Sequence, residues 1–213
     1  MTDNNQKEEQ DIDFGSSMTD LMTSLMVIFI LLLVLSFNHM ENQGEKLRDE
    51  IVSELETSLK ESGSSLKIEK DKDPTIIKII GDEITGIKFE SNEYKITEES
   101  KPKLKEVYDH IFNDICSDKH IGDIDSIQII GYTDKNPVRK DPKYGNLSLS
   151  QDRALEVLKF GLQYLGMDSK KGKYLLKLAS INGRGMEEQK KTNEESRRVE
   201  FRIRVKQGYT DGK

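Results

Sequence analysis

A single cysteine, Cys116, excludes a disulfide framework and a CxxC metal pair. Its apolar setting beside a helix end reads as buried packing rather than a reactive thiol. Three histidines, His39, His110 and His120, lack metal-ligand spacing, and each reads as a surface or interface residue. No nucleophile stands with a paired base, so the chain is not read as an enzyme. No large basic field exists either. Net charge is −6, and residues 1–13 supply −4 of it, with Asp3, Glu8, Glu9, Asp11 and Asp13 against Lys7. Nucleic acid is therefore excluded as a main ligand.

One stretch lacks charge altogether. Leu21 to Phe37 carries no ionisable side chain. The 21 residues from Ser17 to Phe37 make about 31 Å of helix at ~1.5 Å per residue, enough for a bilayer core of roughly 30 Å. After Ser24 the run has no polar face, as a soluble core helix would have. It is not a cleavable signal peptide: the leader is acidic, the run is long, and no small-residue cleavage site follows Phe37. No cysteine lies nearby for a lipoprotein signal. The reading is an uncleaved single-pass anchor. The charge rule weakly favours the opposite orientation to the one adopted below, since Lys46 and Arg48 follow the run and only Lys7 precedes it.

Asp20 stands at the edge of that run. A charged carboxylate costs roughly 2.5–3.5 kcal/mol at mid-bilayer, and less toward the interface. Helical spacing puts Thr23 and Ser24 on its side. Two readings are open on spacing alone: an ion-carrying group, or a first-turn residue that favours a helix N-terminus. Met18, Met22 and Met26 form a stripe on the same helix, suited to packing against a partner's membrane helices.

The rest of the chain divides in order. Residues 1–15 are an acidic tail, disordered over 1–13. Residues 16–37 form the membrane helix. Residues 38–73 form a linker with a helix over Glu41–Ser62, whose Leu47, Ile51, Leu55 and Leu59 suit either contact with a second copy or packing on the following domain. Gly63-Ser-Ser65 ends that helix, and the charged residues 67–73 are left without a strand. Residues 74–207 form a domain and 208–213 a tail. Within the domain, strands are expected over Thr75–Ile80, Thr85–Phe89, Ile124–Gly131, Leu175–Asn182 and Arg198–Val205. Helices are expected over Glu98–Ile115 and Ser148–Leu165, with Ser148 as N-cap and one helical turn at Glu194–Ser196. The order βαβαβ…β describes an α+β fold with helices on one face of a sheet.

The loop after the central strand places an acid, Asp134, opposite Arg153, expected in the first turn of the next helix. Such a pair can bind a zwitterion or simply form a salt bridge. Five motifs bear on the choice: Gly131-Tyr-Thr-Asp134, Asn146-Leu-Ser-Leu-Ser150, Arg153-Ala154, Asn182-Gly-Arg-Gly185 and Asn193-Glu-Glu-Ser-Arg-Arg-Val-Glu200. Together they resemble the successive motifs of the OmpA-like peptidoglycan-binding domain over about residues 75–207. The resemblance implies a βαβαββ domain in which Asp134 and Arg153 clasp the diaminopimelate of the stem peptide. It further implies that Tyr144, Asn146 and Leu149 line the groove, and that Arg197 and Arg198 are partly structural and partly groove-lining.

A single-pass helix with an aspartate near its start, ahead of such a domain, resembles the MotB-like B subunits of ion-driven stator complexes. The segment Asp20-Leu-Met-Thr-Ser-Leu-Met-Val-Ile-Phe-Ile-Leu-Leu-Leu is most similar to the ZorB family of Zorya anti-phage defence systems. Flagellar members differ, with Ala and Trp around the aspartate and a basic leader. The resemblance implies that Asp20, with Thr23 and Ser24, relays protons without any cofactor. It also implies a homodimer inside about five copies of a polytopic MotA/ZorA-like partner. A wall-binding domain must lie in the periplasm, which places the N-terminus in the cytoplasm of a bacterial inner membrane. A flagellar-type stator subunit and a passive wall anchor are the alternatives.

Overall fold

The computed structural model describes residues 3–64, 66–80, 87, 89–138 and 145–206. The chain divides into two compact units, residues 1–42 and 43–213. The long helix α1 (Asp3–Ser62) contributes to both.

In the first unit, α1 starts at Asp3, so residues 3–13 are helical and not disordered as expected. Among the described residues, one helix segment is long and apolar enough to cross a membrane. It lies within Met18–Ser62, has mean hydropathy 2.4 over its best window, and none of that window is buried. A core helix of that composition would be covered. Here Leu25, Phe29, Leu32 and Leu35 are all exposed.

The second unit begins with the remainder of α1. Ile51, Val52, Leu55 and Leu59 are buried in the domain core, and Leu47 packs beside them. The apolar row thus packs on its own domain, and residues 43–62 are part of that domain rather than a free linker. The helix stops at Gly63, whose φ of +66° suits glycine. Gly63 N–H donates to the Lys60 carbonyl at 3.3 Å, and Ser64 N–H to the Leu59 carbonyl at 3.0 Å. These two bonds satisfy carbonyls that a helix end leaves open.

Five strands then form one sheet: β1 (Lys67–Lys70), β2 (Ile76–Ile80), β3 (Ile124–Gly131), β4 (Ala179–Gly183) and β5 (Val199–Val205). Their spatial order is β1-β2-β5-β3-β4. β4 runs parallel to β3, and the other pairs are antiparallel. β1 was not expected, because Lys67, Glu69 and Lys70 hide its alternation; charged residues are usual on an edge strand, where they deter pairing with other chains. Ile77 and Ile79 on β2, and Val199, Phe201, Ile203 and Val205 on β5, face the core at period two. On β3 both Ile124 and Ile127 face inward despite their odd spacing, because a bulge between Ile124 and Ser126 adds a residue. The extended piece expected at Thr85–Phe89 lies mostly outside the described residues, as do residues 207–213.

Helices cover the core face. α2 (Ser100–His110) passes into a π-helical turn at Ile111–Ile115, closed by Cys116 N–H donating to the Ile111 carbonyl at 2.7 Å. Leu104, Val107, Tyr108, Ile111, Phe112 and Ile115 bury one stripe against the sheet. Tyr108 meets Phe201 edge to face at 5.6 Å and donates its hydroxyl to the Val157 carbonyl at 2.8 Å. Cys116 is buried beside them, and burial pushes its thiol up to about 12.

α3 is Gly145–Leu165, so Ser148 sits inside the helix and is not its cap. The buried stripe Leu149, Ser150, Arg153, Ala154 and Val157 holds this helix against the sheet from its first turns. α4 (Lys170–Leu178) occupies residues expected to begin a strand. Ser169 caps it, accepting from Gly172 N–H at 2.9 Å, and Leu175 is buried with Tyr174 and Leu178 packed beside it at helical spacing. The strand proper starts at Ala179. α5 (Asn193–Ser196) is the short helical turn expected there.

Candidate functional site

Asp20 is exposed and lies well inside α1, which starts at Asp3. The reading of Asp20 as a first-turn residue therefore fails. Thr23 and Ser24 are exposed on the same helix. The Thr23 hydroxyl donates to the Thr19 carbonyl at 2.7 Å, one turn back, so its proton is engaged with the helix backbone rather than with Asp20. Met18, Met22 and Met26 are likewise exposed.

The second candidate lies at the C-terminal ends of β3 and β4. Glycines set its geometry. A Cβ on Gly131 would stand 1.9 Å from the Ser150 carbonyl oxygen, and one on Gly183 would stand 2.6 Å from Ser150 Oγ. α3 can approach the sheet only because both positions lack a side chain. Ser150 Oγ donates to the Leu147 carbonyl at 2.7 Å and accepts from Gly185 N–H at 2.9 Å. Three of the five sequence motifs therefore meet at one serine.

Asp134 sits just beyond β3 and is largely buried. Its Oδ1 accepts from Asn136 N–H at 2.9 Å, and its Oδ2 from Arg197 Nη1 at 2.9 Å. The ion pair is thus with Arg197, not with Arg153. Arg153 is in the third turn of α3, not its first, and is fully buried. Nε donates to the Glu93 carbonyl, Nη1 to that of Tyr132 and Nη2 to that of Glu90, at 2.9–3.0 Å. Its guanidinium also lies over the Phe89 ring at 5.0 Å. Burial, with the nearby Arg197 charge adding to it, pulls the Arg153 guanidinium down to about 10. Arg197 Nε donates to the Phe89 carbonyl at 2.9 Å, so two arginines gather the carbonyls of residues 89–93.

The cluster Asp134, Arg153 and Arg197 carries a formal charge of +1. Of the three, only Arg197 is partly open to solvent, and Asp134 and Arg153 are buried. An acid–guanidinium pair can meet an ammonium with the carboxylate and a carboxylate with the guanidinium. Asn146 is half-buried and Leu149 buried at the start of α3, while Leu147 between them is exposed. Tyr144 lies outside the described residues. Among the described residues, the buried Thr133 hydroxyl, next to Asp134, has no hydrogen-bond partner.

A charged network joins Arg198 and Glu200 of the last motif to Arg202 beside Tyr132. Burial alone would raise Glu200, but Arg198 and Arg202 hold its carboxyl below the usual range. Arg198 Nε donates to Glu200 Oε1 at 2.8 Å, and its guanidinium stacks on the Tyr132 ring at 3.9 Å. This network explains the second arginine and the glutamate of the last motif as structural. Alternation along β5 puts Glu200 and Arg202 on one face, which is the signal that could have found them.

These motifs match the OmpA family over residues 88–202, more than half of the chain. The chain belongs to the OmpA family. The OmpA-family domain has the fold of a MotB-like protein from Desulfovibrio vulgaris, at 15% identity and a TM-score of 0.55, with 78% of this chain and 99% of that chain covered. The cell wall anchor of the type VI secretion system of Pseudomonas aeruginosa is 18% identical (TM-score 0.47; 71% of this chain and 95% of that one). The periplasmic domain of Helicobacter pylori MotB is 17% identical (TM-score 0.48; 67% and 83%). No curated protein matches the sequence.

Proposed function

We propose that this protein is the wall-anchored subunit of a proton-driven membrane motor of the stator type, acting in anti-phage defence. The observation that carries the reading is one carboxylate, Asp20, set inside a membrane-length exposed helix in a chain whose remainder is an OmpA-family domain. A carboxylate in such a helix is expensive unless it faces a bundle interior. Two copies of this helix inside a ring of a polytopic partner would give Asp20 that setting, with Met18, Met22 and Met26 against the ring. Proton transfer through Asp20 neutralises and restores its charge, and 100 mV supplies roughly 2.3 kcal/mol per proton. Thr23 and Ser24 keep the path polar on one side.

The OmpA-family domain holds the dimer still by gripping peptidoglycan. Asp134 takes the ammonium and Arg197 the carboxylate of the stem-peptide zwitterion. Arg153 supports both from beneath, by fixing residues 89–93 and the end of β3. Asn146, Leu149 and Tyr144 shape the groove. The N-terminus is then cytoplasmic and the domain periplasmic. The defence assignment rests on the resemblance of residues 20–33 to the ZorB family.

The test is proton flux into vesicles carrying this protein with its polytopic partner. Asp20→Asn should assemble and abolish flux. Flux equal to wild type in that variant would remove Asp20 as the proton carrier and overturn this reading.

A further inference from the structure

His110 and His120, expected as surface or interface residues, are both buried within the domain, and His120 is 2% exposed. Its surroundings join two parts of the domain 66 residues apart. His120 Nε2 lies 2.9 Å from Glu54 Oε2, and its Nδ1 lies 3.9 Å from Asp123 Oδ2. Glu50 stands one turn before Glu54 on the same face of α1. Ligand atoms of Glu50, Glu54 and His120 all lie within 4.8 Å of one another. Both glutamates are half-exposed, so the group opens to solvent while its imidazole is held from within.

A cation already marks the centre of this group. Lys119 Nζ lies 2.9 Å from Glu50 Oε1 and also contacts Glu54 Oε1. The Lys119 side chain is 57% exposed and sits on a flexible stem, free to swing into water.

We propose that Glu50, Glu54 and His120 form a zinc site, with Lys119 as the displaceable cation that fills it when metal is absent. One imidazole nitrogen and two carboxylate oxygens leave a fourth tetrahedral position for water, matching the three protein ligands and open position of such zinc sites. The imidazole selects against calcium and magnesium, which take oxygen ligands. Zinc at Nε2 requires the proton on Nδ1, and Asp123 stands on that side to accept it, as outer carboxylates do for metal-bound histidines. The bound ion would pin residues 50–54 of α1 to the turn at 117–123. Zinc would thus clamp the segment that follows the membrane helix onto the wall-binding domain. The proposal stands apart from the motor reading, and either can fail alone.

The experiment is calorimetric titration of ZnCl2 into the tag-free full chain in lipid nanodiscs, alongside thermal melts. One zinc per chain and a raised thermal midpoint are expected. Glu50→Gln, an exposed change that leaves the core intact, should lose that zinc and the rise in midpoint. His120→Ala should do the same. Asp123→Asn should weaken binding about tenfold, and Lys119→Ala should tighten it. Calcium and magnesium should not compete. No zinc uptake overturns the proposal. So does uptake that persists unchanged in Glu50→Gln and His120→Ala, which would place the metal elsewhere, such as at the His110–Asp114 pair.

Discussion

Arg197 and Arg153 are both guanidiniums within reach of Asp134, yet they do different work. Arg197 is partly exposed and holds the Asp134 carboxylate. Arg153 spends its donors on three backbone carbonyls and is closed to solvent. Arg197→Ala should therefore abolish co-sedimentation with purified sacculi and also lower the urea midpoint, because the largely buried Asp134 carboxylate loses its cation. Arg153→Ala should lose sacculus binding and also cost about 3 kcal/mol of stability, because three buried carbonyls lose charged donors. Wild-type sedimentation by Arg197→Ala would refute its place in the groove. The identities of Asp134, Arg153 and Arg197 were legible from their motifs. Their pairing was not: Arg197 is 63 residues from Asp134 in sequence, and no local pattern says which arginine turns inward. Likewise nothing local showed that His120 would be buried beside Glu54.

Elements whose apolar period was undisturbed were legible almost to the residue. β3 was expected and found at Ile124–Gly131, and α2 with its π turn ends at Ile115 as expected. Misreadings came where another feature masked the period. Charges hid β1. In α4, the apolar residues Leu175, Leu176 and Leu178 run directly into Ala179 and Ile181, and periodicity cannot divide a short helix from the strand it feeds. The start of α3 was misplaced because Ser148 looked like a cap, whereas the packing of Ser150 against Gly131 and Gly183 anchors the helix three residues further back. That contact is testable at the element scale. Gly131→Ala would drive a methyl into the Ser150 carbonyl, so α3 must shift away from the sheet. We expect a loss of about 3 kcal/mol, at the upper end of ordinary overpacking costs, read as a lower urea midpoint at constant slope. A loss under about 0.5 kcal/mol, the range of an ordinary surface substitution, would show that the glycine is not required.

At the scale of the whole molecule, the two units ask for different surroundings. Residues 43–213 bury their own apolar side chains in one core. The helix before them exposes a continuous apolar surface, of a length and composition able to cross a membrane. The proposed motor supplies both: a ring of partner helices for Asp20 and a rigid wall for the OmpA-family domain. The most direct measurement is the mass of the intact complex, extracted in mild detergent from membranes expressing this chain with its native neighbours. The account predicts a polytopic partner recovered at about five copies to two of this protein. Recovery of this protein alone, or as a bare dimer that still binds sacculi, would contradict it and leave a passive wall anchor.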